Sequence, residues 1–103
     1  MDLKKENFDQ EVLHSEQPVI VDFWAEWCVP CKALSPTVEE IGTEFAGKAK
    51  VFKVNVDDET ELQMKYGIMS IPTLKFFKNG QIVGEIVGAY PKATIVAELN
   101  KHL

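Results

Sequence analysis

No run of the 103 residues is apolar for long enough to cross a bilayer, and no basic cluster occurs along the chain. The net charge is -5 and the isoelectric point about 5.0, so the sequence lacks the electrostatic footprint of a nucleic-acid or anionic-membrane partner. The opening residues, Met1-Asp2-Leu3-Lys4-Lys5-Glu6, are charged and lack the apolar centre of a secretory signal. The expected compartment is therefore the cytoplasm. Cysteine is scarce: two residues cannot staple a secreted scaffold, and a reducing compartment would not keep a structural bridge closed. Their use is expected to be chemical. Metal ligands are scarce too. Zinc takes about four, and His14 and His102 sit near opposite ends of the chain without paired spacing. Both are expected at the surface, and no metal or bound cofactor is expected. Linkers, repeats and low-complexity stretches are absent. With 46% hydrophobic residues, the chain is expected to form one domain over residues 1–103 and to act as a monomer.

The pattern that is present alternates strands and helices. Asn7 is placed to cap a short helix whose Phe8 and Val12 share a face. After Pro18, Val19 to Trp24 form an apolar run of buried-strand type, interrupted only by Asp22. A helix opening near Cys28 lines up Leu34, Val38, Ile41 and Phe45, a stripe suited to lie on a sheet. Within it, Pro36 reads as a kink. Val51 to Val56 is a second strand, and a short helix carrying Leu62 and Tyr66 stops at Gly67. Thr73 to Lys78 and Gln81 to Val87 are strands joined by Asn79-Gly80, a strong hairpin signal. A last helix, from about Pro91, carries Ile95, Leu99 and Leu103. These elements predict an α/β fold whose sheet is mixed, parallel first and antiparallel last, with helices on both faces.

Cys28-Val29-Pro30-Cys31 falls between the buried strand and the following helix. Two cysteines placed at random in such a chain would lie three apart in roughly 2% of placements, so the spacing itself points to a function. Free N–H groups and the helix dipole stabilise a thiolate at a helix start, which favours Cys28 as the reactive sulfur. Cys31, one turn on, is near enough to attack a mixed disulfide at Cys28. Trp27 and Lys32 flank the pair in a turn expected to be exposed. Asp22 is a carboxylate in an apolar strand, on the side of Ile20 and Trp24. Burial should raise its pKa, and proton exchange with Cys31 explains so costly a group better than packing does.

The residues Trp24-Ala25-Glu26-Trp27-Cys28-Val29-Pro30-Cys31-Lys32, with Pro36, Ile71-Pro72-Thr73, Lys78-Asn79-Gly80 and Val87-Gly88-Ala89, closely resemble the thioredoxin family. Several separated motifs in the right order are far more specific than a lone Cys-x-x-Cys. The resemblance implies a thioredoxin fold, with a central mixed sheet of four or five strands flanked by helices, and protein-disulfide reduction by dithiol–disulfide exchange. It implies no bound cofactor beyond the redox-active Cys28–Cys31 pair. Electrons would come from a flavin-dependent, NADPH-drawing thioredoxin reductase and pass to disulfide-containing proteins. Carried over residue by residue, Cys28 is the nucleophile, Cys31 the resolving thiol, Asp22 a buried proton acceptor, Lys53 its neighbour and Pro72 a cis proline facing the dithiol. The backbone at Ile71 would be free to pair with an extended substrate segment. Trp27, Val29, Pro30, Ile71, Gly88 and Ala89 would form the substrate-docking surface, while Trp24 fills the core.

Two positions depart from the family pattern: Val29 stands where glycine is usual between the cysteines, and Ser70 where many members have glycine. The first bears on redox poise and the second on substrate preference. Two other readings remain at this stage. One is a thiol oxidant or isomerase of the same fold, against which Pro30 speaks, because strong oxidants carry histidine before the second cysteine. The other is a binding module in a larger assembly, which an intact dithiol beside Asp22 and Pro72 disfavours as the sole role.

Overall fold

The computed structural model describes residues 2–103; Met1, the first residue of the charged opening run, lies outside the described residues. Helix α1 (Lys5–Phe8) continues into a single π-helical turn, Asp9–Leu13. Then follow β1 (Val19–Trp24), α2 (Val29–Glu44), β2 (Lys50–Asn55), α3 (Thr60–Lys65), the hairpin β3 (Thr73–Lys78) and β4 (Gln81–Val87), and α4 (Lys92–Asn100). The strands form one sheet in the order β2-β1-β3-β4. The β1–β2 pair is parallel; β1–β3 and β3–β4 are antiparallel. This is the mixed sheet expected, with four strands.

Strand β1 can be apolar almost throughout because both of its faces are covered. Val19, Val21 and Phe23 point to one core, which also holds Phe8 and Val12 of the N-terminal helical segment, Leu62 of α3, and Phe52 and Val54 of β2. Ile20 points the other way, into a core completed by Leu34, Val38 and Ile41 of α2 and Ile95 and Leu99 of α4. Helices therefore lie on both faces. In the first core Tyr66 packs its ring against Phe8 at 5.2 Å and edge-on to Phe77 at 5.6 Å between centroids. Geometries of this kind add to simple area burial. Phe45, last in the expected stripe of α2, ends that helix and is only partly buried against the second core.

Three local expectations are corrected, and one feature was not anticipated. Asn7 does not cap the first helix: Lys4 precedes it, and the Asn7 side-chain oxygen reaches back to accept from the Lys4 N–H at 2.9 Å. The residue does satisfy an orphan donor at the helix start, but from the third helical position. Leu103 lies beyond α4 and is 50% exposed, because the helix ends at Asn100 before a further turn can bury it. His102 is not a free surface histidine; it is half-buried, with Nε2 3.0 Å from Glu98 Oε2 and its ring 6.2 Å from that of Phe76. The hairpin register also slips by one residue between Phe76 and Phe77, a bulge on β4 that the alternation alone did not reveal.

Asn79 and Gly80 both take positive φ, 54° and 79°, as a tight two-residue hairpin turn requires. Gly80 is further restricted: a Cβ there would lie 3.0 Å from the carbonyl oxygen of Leu13, which ends the π-helical turn. Gly47 has a comparable φ of 87° but open space around it. Gly80→Ala is therefore expected to destabilise the fold by roughly 1–2 kcal/mol from the left-handed backbone alone, plus a term for displacing Leu13. Gly47→Ala should show only the first cost. Urea unfolding of both variants checks this, and equal losses would show that the Leu13 contact contributes nothing.

Candidate active site

Three chain reversals meet at the end of the sheet where β1 finishes. The first carries the cysteines. Cys28 is the N-cap of α2, its N–H bonded to Ala25 O at 3.1 Å, and its Sγ accepts the Cys31 N–H at 3.2 Å. A sulfur in this place occupies the position where a helix offers unpaired donors and the positive end of its dipole. Pro30 sits in the first turn of α2, where its missing N–H costs nothing. Cys28 and Cys31 are joined as a disulfide, with Cα atoms 5.3 Å apart. The second reversal brings Ile71-Pro72, whose peptide bond is cis, over the pair: the Ile71 carbonyl oxygen lies 3.9 Å from Cys28 Sγ. The third is Gly88-Ala89 after β4, tied on by the Gly88 N–H donating to Pro72 O at 2.8 Å.

The surroundings are apolar and open. Trp27 is 69% exposed and Val29 75%, with Pro30 and Ala89 also exposed and Ile71 and Gly88 half-buried. The sulfurs themselves are not in the open, since Cys28 is only 5% exposed and Cys31 1%. The turn expected to be exposed thus presents its flanks and shelters its sulfurs. Trp27 is held by its indole N–H, which donates to Asp57 Oδ2 at 2.9 Å. Asp57 follows β2, and sequence reasoning passed over it because the pairing spans 30 residues of chain.

Asp22, in the middle of β1, is fully buried, with neither carboxylate oxygen accepting a hydrogen bond from a protein group. Burial pushes its pKa up to about 7, and the positive charge of Lys53 works against that rise. Lys53 is the register partner of Asp22 across the parallel pair. It is half-buried rather than free in solvent, and its ammonium donates to Ser35 Oγ of α2. Ser35 was also missed, although its place four residues after Cys31 puts it one turn on along the same helix face. Trp24 is partly buried against the first core, with Lys53 Nζ 5.3 Å from its ring centroid.

The Thioredoxin family model matches residues 1–101. The chain belongs to the thioredoxin family. It is 54% identical over 96 residues to Thioredoxin 1 of Nostoc sp., covering 93% of this chain and 90% of that protein. Against Thioredoxin of Synechocystis sp. the identity is 50% over 97 residues, 94% of this chain and 91% of the relative. Thioredoxin of Haemophilus influenzae is 45% identical over 97 residues, with the same coverage of 94% and 91%. As a thioredoxin-family oxidoreductase, the protein acts by dithiol–disulfide exchange on disulfide-containing proteins through its paired cysteines. No helix among the described residues is long and apolar enough to cross a membrane.

The buried carboxylate has a thermodynamic signature. Its folded pKa of about 7 lies above the ordinary 3.8, so the folded state resists ionisation more than the unfolded chain does. The resulting cost begins as pH rises past the unfolded value and is complete above the folded one. At about 1.4 kcal/mol per tenfold change in proton affinity, it amounts to about 4 kcal/mol. Asp22→Asn is therefore expected to raise the thermal midpoint at pH 8 by of order 20 °C, with the gain vanishing near pH 4. A gain independent of pH in calorimetry would mean that ionisation is not its source.

Proposed function

We propose that the protein is a protein-disulfide reductase in which Cys28 attacks and Cys31 resolves. The observation that carries this reading is the placement of Cys28 Sγ: at the N-cap of α2, beside the Ile71 carbonyl, within an exposed apolar rim. In the reduced protein the Cys28 thiolate attacks one sulfur of a substrate disulfide, forming a mixed disulfide and expelling the first substrate thiolate. Cys31 then gives its proton to the Asp22 carboxylate and attacks Cys28 Sγ. The second substrate thiolate leaves, and the Cys28–Cys31 disulfide remains. Two electrons pass to the substrate, and the proton on Asp22 is returned to solvent. A group whose proton affinity lies near neutrality suits both steps.

Trp27, Val29, Pro30, Ile71, Gly88 and Ala89 are the docking surface in this reading. An extended substrate segment would pair with the backbone at Ile71, beside Pro72, and lay its side chains on the apolar rim. Lys53 tempers the burial of Asp22. A flavin- and NADPH-dependent thioredoxin reductase regenerates the dithiol, and no cofactor other than the cysteine pair resides in the protein. Residues 1–103 act as one domain and as a monomer; the two cores share a single sheet, which supports the first of these assignments. The cytoplasm is the assigned compartment, supported by the need to keep the dithiol reduced.

Insulin reduction with dithiothreitol is expected to be accelerated by the intact protein and to fall to background with Cys28→Ser. Turnover retained by that variant would refute the assignment. Iodoacetamide should alkylate Cys28 of the reduced protein first; preferential modification of Cys31 would reverse the two roles.

The potential is expected near the roughly -270 mV carried over from thioredoxins, far from the roughly -120 mV of strong oxidants. Val29 adds neither charge nor donor to the site. Equilibration against glutathione measures the potential, and a value above about -200 mV would place the protein among isomerases or oxidants.

A further inference from the structure

Asp22 and Lys53 face each other in register, which ordinarily invites an ion pair. Neither Asp22 oxygen has a protein hydrogen-bond partner, however, and the Lys53 ammonium is turned to Ser35 Oγ. It is held there from two sides, by the serine of α2 and by the Trp24 ring of β1 at 5.3 Å. From this place it still acts on Asp22 by charge alone. The other elements around the pair bring little competition. Opposite Asp22 on β3 stands Leu74, which is uncharged. The N-terminal segment contributes a backbone bridge from Asp2 to Lys53. Glu39 of α2 and Lys50 of β2 line the same groove as Lys53, and Glu39 is solvent-exposed.

We propose that Ser35 is a positioning residue for the proton-transfer step: its hydroxyl oxygen holds the Lys53 ammonium over Trp24 and off Asp22, leaving the carboxylate free to exchange a proton with Cys31. The proposal rests on the catalytic role given to Asp22 above. The physical argument concerns where the ammonium goes when Ser35 is removed. A half-buried cation that loses its acceptor moves to another, and the carboxylates within reach, Glu39, Asp2 and Asp22, differ in what they offer. Glu39 and Asp2 are both exposed and already solvated, and gain little from a screened pair. Asp22 is buried with both oxygens unpartnered, so an arriving ammonium would relieve a large desolvation cost. The cation therefore closes on Asp22, stabilises the carboxylate form and makes it a poorer proton acceptor.

The test compares wild type, Ser35→Ala and Ser35→Thr, following the Asp22 carboxyl carbon by NMR against pH in the disulfide form. Ser35→Ala is expected to lower the Asp22 titration midpoint by roughly one pH unit, a tenfold loss of proton affinity. Ser35→Thr, which keeps the hydroxyl, should restore it. In insulin reduction Ser35→Ala should lower kcat several-fold at unchanged KM, because docking is untouched, and should shift the acidic limb of the rate profile to lower pH. An Asp22 midpoint that stays put or rises in Ser35→Ala, or a threonine variant that behaves like alanine, would overturn the positioning role. The two readouts separate the two claims. If Asp22→Asn leaves turnover unchanged, the catalytic reading of Asp22 fails, while the NMR midpoint still decides whether Ser35 holds Lys53.

Discussion

Strand β1 lies between β2 and β3 and is buried on both faces, and the rest of the molecule is arranged around that condition. A strand so placed must be apolar at nearly every position, which accounts for Val19, Ile20, Val21 and Phe23. It must also leave the sheet abruptly, because α2 has to cross back to lie on one face before β2 can pair in parallel. The exit is four residues long, Ala25 to Cys28, and its last residue caps the helix. Cys28 Sγ is thus held by a helix start tied to a doubly flanked strand, which leaves it little freedom to move.

The same strand carries the least favourable residue of the core. Asp22 is surrounded by groups that do not hydrogen-bond it, and a protein selected for stability alone would replace it. In the proposed mechanism it serves a dithiol that must lose and regain a proton in each cycle. Lys53 and Ser35 belong to the same compromise. A full ion pair would stabilise the carboxylate and blunt its proton affinity, whereas a cation held by a serine and an aromatic face shifts that affinity without abolishing it.

At the surface the design is different. The sulfurs are sheltered while their flanks are open, and in the proposed reading a disulfide reaches Cys28 only after its neighbours have settled on Trp27, Val29 and Ile71. As proposed, those contacts are apolar and would fit many partners, and the backbone beside Pro72 would take an extended segment of any sequence. Trp27 is nevertheless fixed by Asp57, which limits how the rim can be rearranged.

Periodicity and turn chemistry made most of this architecture legible from the residues. The apolar run of β1, the stripe of Leu34, Val38 and Ile41, and the Asn79-Gly80 turn each carry their structure locally, and each appears where the pattern placed it. The dithiol was legible for the same reason, since a three-residue spacing at a strand–helix junction is a local signal. What the chain order could not show is which side chains meet across distance. The Trp27–Asp57 bond, the turn of Lys53 toward Ser35 and the burial of His102 against Glu98 depend on sheet register and on how α2 and α4 lie on it. The cap at the first helix was misplaced and the bulge in the hairpin went unread because both are settled by competition among neighbouring donors and packing. Residue types and their spacing determined the fold and the cysteine pair. The polar partners of the side chains around it were decided only when the sheet brought distant strands and helices together, because a hydrogen bond depends on position in space and leaves no period in the sequence.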